Sequence, residues 1–310
     1  MNGKKIKFQR SVRRFKNSLP LTLLALPAII YFIIFKYVPL YGLVLPFKDY
    51  KFSKGFFGSE WCGFRNFEFL ADNTQLYIAI RNTILYNFVF IILGIFVSVT
   101  AALLLFELKN KYVKLYQTIL YLPFYISWVV VAYAARAFLD MDYGLINKLI
   151  EMFGGEGVLW YSNPSYWPAF IITANVWKSF GSNAVLYYAS LMGTDKSLFE
   201  AAKIDGAGKL QTIIHISIPS IKSIIVMMTI LSIGKIFYGD FGLFYNLTLN
   251  SSLLYPTTDI IDTYVYRSLV KLGDMGISSA VGFLQSVFGF VLVLATNFIV
   301  RRVEEDCSLF

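Results

Sequence analysis

Residues 80–106 read IRNTILYNFVFIILGIFVSVTAALLLF. After Arg81 the run carries no charge to its end, and it is long enough to cross a hydrocarbon layer of about 30 Å, which takes about 20 residues as a helix. It is too uniformly apolar for a barrel strand, whose two faces must alternate. Comparable runs recur along the chain. The composition agrees: 57% of the 310 residues are hydrophobic and 15% are charged, where a soluble globular chain would approach a quarter charged. The fold class is therefore all-α and polytopic in a membrane.

Six spans are expected, over 20–45, 80–106, 115–139, 166–192, 221–237 and 279–300. The fifth is the weakest, being short with Gly234-Lys235 near its end. The first is too long for a signal peptide, and no small-residue cleavage site follows before Lys48. It is expected to remain as an anchor. Lys and Arg are distributed unequally: sixteen lie in the segments on the side of the N-terminus and seven on the other. The positive-inside rule then places both termini in the cytoplasm. The net charge of +9 is thus an orientation signal in juxtamembrane segments, and nucleic acid is not an expected partner. Cys62 and Cys307 fall on opposite sides and cannot pair within one chain; no metal-ligand spacing exists. Acidic residues such as Asp140, Asp142, Asp259, Asp262 and Asp274 read as a solvated outer face, with a surface helix over 257–272.

The longest cytoplasmic connection follows the fourth span. Ser197-Leu198-Phe199-Glu200 has the form of a capping box, so a helix is expected from Leu198 to near Asp205. Gly206 suits a left-handed turn. A second helix is expected from about Gly208 to Ser217, with Pro219 ending it or starting the next span. Leu198, Phe199, Ala201, Ala202 and Ile204 give the first helix an apolar side with small residues. Such a side fits a groove on a partner protein or the headgroup layer equally well.

The run Glu200-Ala201-Ala202, three residues, Gly206, nine residues, Ile216, one residue, Ile218-Pro219 resembles the EAA loop of binding-protein-dependent ABC importer permeases, with Ile218 where the pattern has Leu. Pro39-Leu40-Tyr41-Gly42, Phe47-Lys48-Asp49-Tyr50, Arg81-Asn82-Thr83, Tyr121-Leu122-Pro123 with Ser127-Trp128, and Asp262-Thr263-Tyr264-Val265-Tyr266-Arg267 are similar to the polysaccharide and complex-oligosaccharide branch of the maltose-type permeases. The resemblance implies a type I importer permease fold. It divides the chain into a basic tail (1–19), a first helix with its outer loop (20–78), a transmembrane core (79–300) with the coupling loop at 193–220, and a C-terminal tail (301–310). It further implies a bacterial cytoplasmic membrane, a second and different permease chain, two ATPase subunits and an extracytoplasmic solute-binding protein that delivers an oligosaccharide. Contact with the ATPase would fall to Ser197, Glu200, Ala201, Ala202, Asp205, Gly206, Ile216 and Pro219.

ATP and Mg would belong to those other subunits, with no cofactor in this chain. Gly206-Ala207-Gly208-Lys209 is not a phosphate loop, because Lys203 and Leu210 stand where a glycine and a Ser or Thr are required. His215 is the only histidine, so neither a His-paired metal site nor a serine triad is available, and no catalytic residue is expected.

Polar side chains inside apolar spans face a cavity or a protein neighbour. Here they are Arg81, Asn82, Asn87, Arg136, Asn175, Lys178, Asn183, Gln285 and Asn297, and Lys36, Arg81 and Lys178 fit snorkelling to the headgroups equally well. A sugar path wants amides beside aromatic platforms, and the expected set is Asn175, Trp177, Asn183 and Tyr187. The competing classes are a secondary transporter, which would need a coupling-ion site and an internal repeat, and a membrane-embedded enzyme. Neither finds its required groups in this sequence.

Overall fold

The computed structural model describes residues 22–71 and 73–303. The basic tail, Cys307 and residues 304–310 lie outside them. Strand structure among the described residues is one hairpin, Lys48–Asp49 (β1) against Glu60–Trp61 (β2), antiparallel with Lys48 opposite Trp61. The remaining regular elements are helices.

Helix α1 (Thr22–Phe47) is apolar apart from Lys36, and none of its most apolar window is buried against the rest of the chain. It widens into a π turn at Ile33–Tyr37 and finishes in 3₁₀ turns. Pro39 accounts for the wide turn. A proline lacks the N–H that would bond four residues back, and its ring crowds that carbonyl; here the carbonyl is that of Phe35, inside the π turn. After the hairpin and α2 (Arg65–Ala71), Asn73 caps α3 (Thr74–Phe106) by accepting from the Leu76 N–H at 3.0 Å. With 33 residues, α3 is about 50 Å long.

The expected third span is broken. Helices α4 (Asn110–Tyr125) and α5 (Trp128–Leu139) meet at 88°. Pro123 closes the last turn of α4, Ile126 is extended, and Ser127 caps α5 by accepting from Val130 N–H. Lys178 meets the break from a later helix, donating to the Phe124 carbonyl at 2.8 Å. A cation at a helix C-terminus answers both the unpaired carbonyls and the dipole.

Helix α6 (Leu145–Met152) packs against α5. Helix α7 (Trp167–Met192) is about 39 Å long, enough to cross, although its polar residues keep it less apolar than α1, α3 and α13. It is the central helix, packed on α3 and α4. Gly181 makes the α4 contact possible: a β-carbon there would sit 1.7 Å from the Leu120 carbonyl oxygen.

Helices α8 (Lys196–Ile204) and α9 (Lys209–Ser220) form the long connection, and α10 (Lys222–Ile233) leaves α9 at 58°. Helix α10 is shorter than the expected fifth span. Beyond Ile233 the chain unwinds to α11 (Phe241–Leu247), then makes a helical turn at Tyr255–Thr258, α12 (Ile261–Val270) and α13 (Met275–Val303). Non-helical backbone at membrane depth must have its polar groups satisfied by protein. Asn87 does this by donating to the Ile236 and Tyr238 carbonyls, and Gln285 by donating to Phe237. Among the described residues α1, α3 and α13 are each long and apolar enough to cross a membrane, and the bent pair α4–α5 and the pair ending in α10 reach that measure as pairs.

Three apolar clusters stack along α3, and the second and third also take in α7. Leu76, Ala79, Ile261, Tyr264 and Val281 lie at the hairpin end; Tyr86, Trp167, Ile171, Leu243 and Phe244 come next; Ala102, Tyr187, Leu191 and Ile221 lie at the α8 end.

Candidate functional site: an exposed helical hinge and a polar membrane interior

Helix α8 starts two residues earlier than its sequence signal. The cap is Asp195, whose Oδ1 accepts from the Ser197 N–H at 2.9 Å. That bond holds the Asp195 carboxyl below its ordinary pKa. Ser197 is therefore the second residue of the helix, and the expected Ser197–Glu200 capping box does not form. A carboxylate is also the better cap beside the positive end of a helix.

The other end follows expectation. Gly206 has φ +76°. Gly206 N–H donates to Lys203 and Ala207 N–H to Ala202, the paired bonds of a left-handed helix stop. Two residues later α9 begins, with Gly208 N–H donating to Gln211 Oε1 at 2.8 Å. Its second turn is a π turn, Ile213–Ser217, and Pro219 stands two residues beyond, as Pro39 does in α1. His215 sits in this turn, exposed, with Nδ1 3.0 Å from the Gln211 carbonyl.

Glu200, Ala201, Asp205 and Gly206 are exposed along one hinge; Ala202 and Ile216 are half-buried beneath it, and Ser197 and Pro219 are exposed at its flanks. The tip presents Ile204 at 86% exposure and Leu210 at 69%. Large apolar side chains exposed this far and rimmed by polar ones suit contact with another protein or with a membrane surface. Leu210 was not among the expected contact residues, because only periodicity within α8 was legible. Two further contacts fasten the hinge to the end of α3: Phe106 packs on Phe199 with ring centres 5.3 Å apart, and Glu107 pairs with Lys209 at 3.0 Å. Glu107 has a faint sequence signal, as an acid among the lysines after the second span.

The in-span polar residues divide into two groups. Most serve protein neighbours. Asn82 donates to the Asp259 carbonyl at 3.0 Å, and Arg81 to Pro256 at 2.8 Å. Thr83 accepts from Ile261 N–H, and Tyr86 donates to Thr257. The Arg81-Asn82-Thr83 motif is therefore a latch on the segment entering α12. The other motif completes it: Arg267 makes a two-pronged pair with the buried Asp259, Thr263 donates to the same carboxylate, and the guanidinium lies 4.0 Å over the Tyr255 ring. Asp262 accepts from Gly239 N–H at 2.7 Å. Asp259 and Asp262 are thus inside, not on a solvated face, and the helix expected over 257–272 begins only at Ile261.

The expected sugar-path residues do not converge. Asn175 and Trp177 project about 160° apart, as two-residue neighbours on a helix must. Trp177 borders an apolar cavity of about 230 Å³ with Val131, Ala135 and Phe170. Asn175 and Asn183 are half-buried, and Tyr187, at 2% exposure, fills the cluster with Ala102 and Ile221. A different polar cavity, about 300 Å³, opens between α5 and α11, lined by Tyr133, Arg136, Tyr245, Asn246 and Asn250. Sequence spacing could not join these residues, since the two helices lie a hundred residues apart. Among the described residues no cluster of His, Cys, Asp or Glu suits a metal.

The profile of binding-protein-dependent transport system inner membrane components matches residues 76–305. The chain is 36% identical over 98% of its length, and 94% of the relative, to the polygalacturonan/rhamnogalacturonan transport system permease protein YteP of Bacillus subtilis. It is 34% identical over the same shares to LplB of that organism. Its fold matches a chain of a bacterial ABC transporter involved in import of the acidic polysaccharide alginate, with TM-score 0.86 and 31% identity, covering 95% of this chain and 99% of that one. From the apolar crossings, the exposed hinge and these likenesses together, the chain belongs to the family of binding-protein-dependent transport system inner membrane components.

Proposed function

We propose that this chain is the permease subunit of an ATP-driven importer of oligosaccharides or polysaccharide fragments in a bacterial cytoplasmic membrane. The observation that carries this reading is the α8–Gly206–α9 hinge: a rigid, glycine-turned knob with bare apolar residues, in a chain that is similar throughout to a polygalacturonan/rhamnogalacturonan permease. The knob is the surface that an ATPase subunit grips. Its attachment to α3 through Phe199 and Lys209 gives that grip purchase on the membrane helices. ATP and Mg are held by the ATPase subunits, and both termini of this chain lie on their side. A second permease chain completes the pathway, and an extracytoplasmic binding protein supplies the sugar; one matching structure is described as a complex with an alginate pentasaccharide-bound periplasmic protein.

Nucleotide shifts an inward–outward balance only by its differential affinity for the two states. The knob transmits that difference, and the helices flanking it, α7 and α10, tilt in response. The test is to purify this chain with its native neighbours and reconstitute it with the binding protein. Co-purification of an ATPase and ATP-dependent uptake of trigalacturonate into proteoliposomes are expected. Uptake without ATP, or a chain that recruits no ATPase, overturns the proposal.

A further inference from the structure

The cavity between α5 and α11 has features that packing does not explain. Val129, Ala132, Tyr133 and Arg136 share one face of α5, at spacings of three and four. Tyr245, Asn246, Leu249 and Asn250 form the opposite wall. Arg136 forms no ion pair among the described residues. The nearest acid along the helix, Asp140, already accepts from the N–H groups of Asp142 and Tyr143. Arg136 stands exposed in the last turn of α5, so its guanidinium is accessible at the edge of the cavity.

The facing wall holds its polar groups ready. Asn246 spends its amide N–H on Gly242, which leaves its oxygen open. Asn250 spends its side-chain oxygen on the Tyr255 hydroxyl, which leaves its N–H₂ open. Leu249 and Asn250 both adopt left-handed backbone, with φ 53° and 49°. Asn tolerates that conformation and Leu does not, so the surrounding structure holds a strained turn at the cavity wall. Tyr245 stacks on Phe241 at 4.9 Å and meets Tyr266 edge-on, which fixes one aromatic platform. Tyr133, 68% exposed, supplies another at the mouth.

We infer that this cavity is a subsite for one uronate residue of an acidic oligosaccharide, with Arg136 pairing the carboxylate, Asn246 and Asn250 taking hydroxyls, and Tyr133 and Tyr245 flanking the ring. The inference rests on the importer reading and deepens it. A planar guanidinium matches a carboxylate in two-pronged geometry. Amides beside aromatic faces suit the hydroxyl edges and apolar faces of a sugar ring. The similarity to a polygalacturonan/rhamnogalacturonan permease and to an alginate importer is consistent with an acidic cargo.

The experiment uses the whole importer with its binding protein in proteoliposomes, and compares uptake of trigalacturonate with that of its fully methyl-esterified form. Arg136→Gln is expected to lower the acid-to-ester uptake ratio about 10-fold or more, the scale of one charged hydrogen-bond pair. Arg136→Lys is expected to retain most of that ratio. An unchanged ratio in Arg136→Gln, or equal loss of both substrates, overturns the subsite. If Arg136→Gln fails to assemble, Asn246→Ala carries the test: a KM for trigalacturonate raised several-fold supports the subsite, and an unchanged KM overturns it. A wild-type importer that carries only neutral oligosaccharides defeats the uronate assignment alone. One that carries no sugar at all defeats the importer reading itself.

Discussion

The α8–α9 hinge and the α3–α12 latch hold their shapes by opposite means. The hinge is built from local bonds: Asp195 to Ser197, Gly206 to Lys203, Ala207 to Ala202, Gly208 to Gln211. None spans more than five residues. The latch is built from side chains of α3 reaching backbone more than 170 residues away, closed by a buried ion pair. Under the proposed importer reading, the hinge needs a form of its own before its partner arrives, and local capping supplies it. A segment that closes a membrane bundle can draw on distant partners, because the bundle keeps them in place. Damage to the latch should therefore cost stability, while damage to the hinge should cost coupling.

The largest stability loss is expected from Asp259→Ala. It leaves the Arg267 guanidinium buried without its partner, a loss of about 3–5 kcal/mol, read as a lower unfolding temperature in detergent. Adding Arg267→Met should recover most of that loss; a double variant as unstable as the single would refute the ion-pair account. Asn82→Ala comes next, at about 1–3 kcal/mol, because the Asp259 carbonyl loses its buried donor. Gly206→Trp should cost about 1–2 kcal/mol locally, since an L-residue is forced into left-handed backbone. Its unfolding temperature should fall by no more than about a few degrees, whereas sugar-stimulated ATP hydrolysis by the assembled complex should disappear. Retained stimulation would sever the hinge from coupling. Smallest is Lys209→Ala, whose exposed pair with Glu107 is expected to contribute less than about 0.5 kcal/mol. A large destabilisation there would erase the contrast between the two regions.

Legibility followed the same division. The left-handed Gly206, the two short helices and the expected fourth crossing were readable, because each depends on residues close in sequence. The start of α8 was misread by two positions: Ser197 and Asp195 both cap well, and only the built turn chooses between them. The 88° break in the third crossing was signalled weakly by Pro123 and Ser127, since a proline in a last turn is equally compatible with a straight span. The polar residues were visible as anomalies, but their partners were not. Asn82, Asn87 and Gln285 look as suited to a sugar as Asn175 does until the carbonyls they serve are placed beside them.

Apolar run length and the asymmetry of Lys and Arg suffice to dictate a membrane bundle and its expected orientation, because bilayer thickness and the cost of burying charge act on each segment independently. Local chemistry likewise suffices for the hinge, since capping and left-handed glycine need only neighbours. Tertiary structure alone decided that Asp259 is buried against Arg267, that Tyr187 belongs to the core, and that Arg136 faces Asn246 and Asn250 across a cavity. Those outcomes depend on which distant helices meet, and a pattern read one segment at a time carries no record of that meeting.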